Sequence, residues 1–210
     1  MTDTRIIGPY LVYRVRPPRE RRIGQVVLGL VILGIALGLG VEAELGVGAW
    51  TVFHGGVANH TPLSIGQVTM LTGAVLLLVF PLIKQPVGLG TLLNVAIIGL
   101  VIDVTLFVVP DLTTMTSRLA ALGAAPILAG LGSGLYIGAG LGPGPRDGLM
   151  TTLERLGVPV WIARSMIEIS ALVLGALLGG DVGWGTLWMA GSVGVAVDVS
   201  LRRNVIDAVT

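Results

Sequence analysis

Residues 141–148 read LGPGPRDG, and residues 45–52, ninety-six positions earlier, read LGVGAWTV. Glycine and proline break any helix that runs into these stretches, because glycine costs backbone entropy and proline lacks the N–H that helical bonding needs. Each break sits between apolar runs long enough to cross a bilayer. A glycine-rich interruption repeated at a fixed interval within a hydrophobic chain is the pattern from which the rest is read.

The chain has 210 residues, of which 53% are hydrophobic and 12% charged, with mean hydropathy +0.90. A soluble domain carries about 25% charged residues. The deficit is accounted for if most of the chain meets lipid. The 32 glycines suit membrane helices, which approach closely through small residues for want of a hydrophobic drive between them. No cysteine is present, which excludes disulfides, thiol catalysis and thiolate metal sites.

Residues 1–22 hold Arg5, Arg14, Arg16, Arg19, Arg21 and Arg22 against Asp3 and Glu20. Pro9, Pro17 and Pro18 oppose a long helix, so this segment reads as a cytoplasmic tail beside anionic headgroups. Nucleic-acid binding is not expected of so short an arm. Residues 23–41 form the first apolar run. It exceeds a signal h-region and has a later counterpart, so it is read as a retained helix despite the cleavage-like Val41-Glu42-Ala43. Residues 64–83 and 89–109 follow, then 119–138, 161–179 and 185–201. These runs predict six crossings.

At an offset of 96, Arg22 aligns with Arg118, Gly38 with Gly134, Leu45-Gly46 with Leu141-Gly142, and Met70 with Met166. One deletion in a turn lowers the offset to 95. Gly88, Gly90, Thr91 and Leu92 then align with Gly183, Gly185, Thr186 and Leu187, and Asp103-Val104 with Asp198-Val199. Shared apolar composition would register leucines and valines, but not GxGTL, an intramembrane aspartate and LGxG together. The expected architecture is all-α: a tail (1–22), a three-helix repeat (23–109), a second repeat (118–201) and a C-terminal tail (202–210). Three crossings per repeat invert the second, as in many transporters. With the N-terminus inside, Arg118 alone of the 13 basic residues falls outside, in accord with the positive-inside rule. Both termini are therefore expected in the cytoplasm, and the chain in a bacterial inner membrane.

After each break about a dozen residues have helical character, 49–60 and 145–156. At roughly 18 Å they are too short to cross. They are either re-entrant half-helices whose free N–H groups point into the membrane or amphipathic helices lying at the interface. Candidate substrate-binding residues are Trp50, His54, Gly142, Gly144, Arg146 and Asp147. Arg146 suits an anionic group or a positive-inside anchor; Asp147 suits a cation, a proton or a helix cap. Asp103, Glu168 and Asp198 are intramembrane acids, which mark ion paths or serve structure. Glu168 is the candidate coupling carboxylate, unless it only pairs with Arg164 one turn before. Asp198 stands at i,i+4 from Arg202.

No GxxxxGKS or GxxxxGKT is present, which excludes a P-loop. His54 and His60 are poorly spaced for a metal, and no cofactor is implied. Ser133, in GSG, has Leu131 before it and no histidine in a later span, so protease chemistry is not expected, nor any other enzyme activity. Gly34/Gly38 and Gly130/Gly134/Gly138 form small-residue seams that serve either intramolecular packing or a homodimer.

The motifs LGVGAWTVFH, SIGQV, GLGTLLN…IGLVID and YIGAGLGPGPRDGLM resemble the YczE/YitT-type family of bacterial integral membrane proteins. The resemblance covers nearly everything after the arginine-rich tail and implies a six-span inner-membrane protein suspected of transport. Members usually carry a Trp-Asp pair in the first motif; here Ala49-Trp50-Thr51 lacks the acid, which makes any site more asymmetric. The expected function is secondary transport of a small polar or anionic metabolite. The alternatives are an uncoupled channel or facilitator, and a membrane scaffold that docks a cytoplasmic partner through the tail.

Overall fold

The computed structural model describes residues 5–7, 10–12 and 19–206, with side chains over 20–201. Two short strands in the tail, β1 (Arg5–Ile7) and β2 (Tyr10–Val12), pair antiparallel with Ile6 opposite Leu11. The sequence reading had no strand there, yet Ile, Tyr and Val are the residues that favour one. Everything else is helical: α1 (Arg19–Glu42), α2 (Ala49–Ala58), α3 (Ile65–Val79), α4 (Leu89–Val108), α5 (Met115–Gly138), α6 (Pro145–Arg155), α7 (Val160–Leu177) and α8 (Trp184–Ile206).

Among the described residues, α1, α4, α5 and α7 are long and apolar enough to cross a membrane. The 15-residue α3 is shorter than the 20-residue run expected over 64–83, because Pro81 and Pro86 bracket a turn in which Lys84 takes positive φ. The 23 residues of α8 would extend roughly 35 Å, with Asp198, Arg202 and Arg203 toward the carboxyl end. The broken segments are short helices: α2 has 10 residues and α6 has 11, close to half a bilayer each.

Helix α1 packs on α5 and α4, and α5 packs on α8. At the α1–α5 crossing Gly29 lies on Gly132, where a Cβ on either would strike the other helix's backbone. Gly34 abuts Val101 of α4, while Gly130 abuts Ala196 of α8. These four residues pair at offsets of 96 and 95, and the seams close within one chain. Pro126 sits inside α5 and cannot donate to the carbonyl of Leu122 four residues before it. The indole Nε1 of Trp188, on α8, donates to that carbonyl at 3.2 Å.

The loops match as the seams do. Gly90 N donates to Leu141 O at 2.8 Å and Gly185 N to Leu45 O at 2.7 Å. The hydroxyls of Thr91 and Thr186 accept from Gly88 N and Gly183 N at 3.1 and 3.2 Å. Gly46 and Gly142 take φ of 97° and 125°, a region closed to most L-residues, so each loop can press against the amino end of a helix from the other half. Arg22 donates to the carbonyls of Ala139 and Gly140 at 2.8 Å, closing the carboxyl end of α5. Arg118 donates to Leu112 O at 2.8 Å and pairs with Glu44 at 2.6 Å.

The halves differ in one respect. α3 lies on α4, where Gly66 meets the carbonyl of Gly99 so closely that a Cβ would collide. Asp103 completes this crossing, accepting from Ser64 Oγ at 2.5 Å and from Gly66 N at 2.9 Å. The positions 96 further on are Val160 and Ile162, with neither the hydroxyl nor the bare backbone. α7 has no comparable interface with α8 and packs instead on α2, where Gly56, Gly175 and Gly180 permit backbone contact.

Candidate functional site

The amino ends of α2 and α6 meet. Arg146 Cζ stands 4.7 Å from the ring centroid of Trp50, a cation–π distance. Gly48 and Gly144 are the N-caps, both extended and without a side-chain cap bond, so Trp50 and Arg146 each occupy the second helical position. They are also 96 residues apart. The glycines explain the local fold: a bare cap leaves the first N–H groups of α2 open at the contact point, where the helix dipole adds positive character.

Asp147 stands at the third helical position of α6, with its carboxylate near the backbone of Gly144. A Cβ placed on Gly144 would lie 3.0 Å from Tyr136 Oη, 3.1 Å from Asp147 Oδ2 and 3.3 Å from Asn94 Nδ2. Those three polar groups, from α5, α6 and α4, therefore converge on one point. Tyr136 is 2% exposed and its hydroxyl has no partner among the described residues.

On the other side lies His54, 1% exposed, with its ring 6.2 Å from Trp50 and 5.8 Å from Phe53. Its Nδ1 is 2.9 Å from Thr69 Oγ1, and that hydroxyl donates to Ile65 O at 2.8 Å. A hydroxyl has one hydrogen; with it on the Ile65 carbonyl, the compatible tautomer of His54 carries its own hydrogen on Nδ1 and donates to Thr69 Oγ1. In the neutral ring Nε2 is then a bare acceptor, and it too has no partner among the described residues.

Trp50, His54, Gly144, Arg146 and Asp147 are thus brought together. Gly142 supports them from behind, against Gly88 and Thr91. Glu168 pairs with Arg164 at 2.9 Å, half exposed, and the two feel Arg146 and Asp147 electrostatically. Asp103 is apart from the site, tied to the amino end of α3. Asp198 is also apart, on the outward face of α8, and the side chain of its expected partner Arg202 lies outside the described residues. Tyr136, Asn94 and Thr69 are additions to the sequence-based set. Tyr136 had a signal: it is a lone tyrosine in a glycine-rich apolar run, and its hydroxyl requires a partner when buried. Among the described residues no cluster of metal-ligating side chains occurs.

Residues 20–202 match the model of a family of unknown function, DUF6198. The chain belongs to this family. Among its relatives, an uncharacterized protein of Haemophilus influenzae is 39% identical over 183 residues, covering 87% of this chain and 84% of that one. The uncharacterized membrane protein YczE of Bacillus subtilis is 34% identical, covering 84% of each chain. A second Bacillus subtilis protein, YyaS, is 28% identical over 76% of this chain and 82% of its own. No solved structure matches. The YczE-type resemblance read from the motifs stands, and with the apolar helices it makes this a helical membrane protein. Since the match begins at Glu20, the family shares the helical body that carries the site.

Proposed function

We propose that the protein is a secondary transporter of a small polar or anionic metabolite, built of six crossing helices as two inverted repeats, 23–109 and 118–201. In this reading both termini are cytoplasmic, the membrane is a bacterial inner membrane, and α2 and α6 are re-entrant. One observation carries it: the Trp50–Arg146 contact joins equivalent positions of the two repeats. A residue touches its own symmetry mate only on the symmetry axis, which in an inverted repeat lies in the membrane plane. The matched Leu141–Gly90 and Leu45–Gly185 bonds support the same axis. Substrate would lie between the two helix amino ends, among Trp50, His54, Tyr136, Arg146 and Asp147. The different seating of α3 and α7 supplies the non-equivalence that alternating access requires.

An uncoupled facilitator is the second reading, favoured by the Arg164–Glu168 pair, which engages the candidate coupling acid. The primary test is a thermal-shift screen of purified protein with anionic, zwitterionic and cationic metabolites. A ligand at 100 times its Kd stabilises by about 2.7 kcal/mol. A hit lost in Arg146→Ala and Asp147→Asn supports the site; a hit unchanged in both removes it.

A further inference from the structure

We infer that the site takes a small monocarboxylate bearing a hydroxyl next to the acid, and that His54 Nε2 accepts the hydroxyl hydrogen and so selects for it. This deepens the transport reading and rests on it. Three observations lead there. The first is charge. Two helix amino ends bring about half a positive charge each, Arg146 brings one, and Asp147 removes one. The balance is about one positive charge, suited to a monoanion. The second is the open amino end of α2, whose Gly48 cap supplies no side chain; with the Arg146 guanidinium it offers donors to a carboxylate.

The third is the orphan acceptor. Helical side chains lean toward the amino end of their helix, and His54 does so, its ring lying beside that of Trp50, over which Arg146 sits. The Ile65–Thr69–His54 chain of contacts suits the tautomer with its hydrogen on Nδ1. In that tautomer Nε2 is a buried acceptor to which nothing among the described residues donates. Leaving such a group unmet within a membrane is costly. A simple carboxylate would leave it unmet and would repel its lone pair. A carboxylate with an adjacent hydroxyl satisfies the cation with one group and the histidine with the other. Thr69 is the positioning residue, since it sets which nitrogen carries hydrogen.

The test uses four three-carbon probes, L-lactate, pyruvate, propionate and L-alanine, with affinities measured by equilibrium dialysis on the purified full-length protein. L-lactate is expected to bind about tenfold or more tightly than pyruvate and propionate, because a site built around a hydrogen bond rejects analogues that lack it. Thr69→Val keeps the side-chain shape but lets the ring carry hydrogen on Nε2, and should bring the lactate-to-pyruvate ratio to one or below. His54→Phe keeps an aromatic ring and should lower lactate to the level of propionate. Equal binding of lactate, pyruvate and propionate, lost in Arg146→Ala, overturns the role of His54 and leaves the transport site standing. Tighter binding of L-alanine overturns the monoanion assignment. Binding of none by the folded protein overturns the inference and the site together.

Discussion

Trp188 and Pro126 make an energetic cycle whose sign the structure dictates. Within α5, Pro126 leaves the Leu122 carbonyl without its helical donor, and the Trp188 indole on α8 replaces it at 3.2 Å. Trp188→Phe removes the donor and little packing, because the Trp188 side chain is half exposed. A net hydrogen bond is worth about 0.5–1.5 kcal/mol in proteins, and side-chain bonds between membrane helices average about 0.6 with a maximum near 1.7. The distance is at the long end of the N–H···O range, so a loss of about 1 kcal/mol is expected. Pro126→Ala restores the backbone N–H to Leu122. In that background Trp188→Phe should cost close to nothing, a coupling of about 1 kcal/mol between residues on different helices. Reversible unfolding in mixed micelles, followed by far-UV circular dichroism, measures all four corners. If Trp188→Phe costs the same with alanine at 126 as with proline, the indole does not serve the orphaned carbonyl and the account is wrong.

Three further outcomes are expected. Gly99→Ala should destabilise by about 1–3 kcal/mol, because its Cβ would press into Gly66 and Met70; Gly194→Ala, with open space around it, should instead stabilise by about 0.5–1 kcal/mol, and unfolding midpoints of equal size and sign for both would contradict the two seatings. Asp103→Ala should cost about 2–4 kcal/mol by leaving Gly66 N and Ser64 without their acceptor while ligand affinity holds; an unchanged unfolding midpoint with abolished binding would make Asp103 a site residue instead. In proteoliposomes, Glu168→Gln should remove the dependence of uptake on a proton gradient while leaving binding intact, and uptake that follows the gradient as before would exclude Glu168 as the coupling acid.

The helical membrane class was legible because lipid imposes long apolar runs with few charges, and such runs survive any detail of packing. The two short helices were legible for a related reason. Glycine and proline mark their starts so firmly that 145–156 was foreseen and Pro145–Arg155 is seen. The candidate site was half legible. Trp50, Arg146 and Asp147 follow from the glycine motifs, whereas Tyr136, Asn94 and Thr69 come from three other helices and show no local pattern. The positions 96 beyond His54 and before Tyr136 are Met150 and Gly40, so self-comparison passes over the residues that make the site chemically particular.

Divergence between the halves also explains what comparing them could not foretell. Alignment at 96 and 95 suggests that α7 should lie on α8 as α3 lies on α4, since Gly194 answers to Gly99 and Asp198 to Asp103. The close approach depends on the other side of the crossing, however. Gly66 gives its backbone to Gly99, and Ile162 in its place adds a branched side chain where no Cβ fits. α2 and α7 hold the complementary set, with Gly56 and Gly175 where the other half has Thr152 and Val79. The glycines thus decide which of two symmetric packings each half adopts, and they decide differently. In the proposed transporter the opposite state is not a mirror of this one: an α7 seated on α8 would stand further out than α3 does on α4, because Ile162 carries a side chain where Gly66 has none.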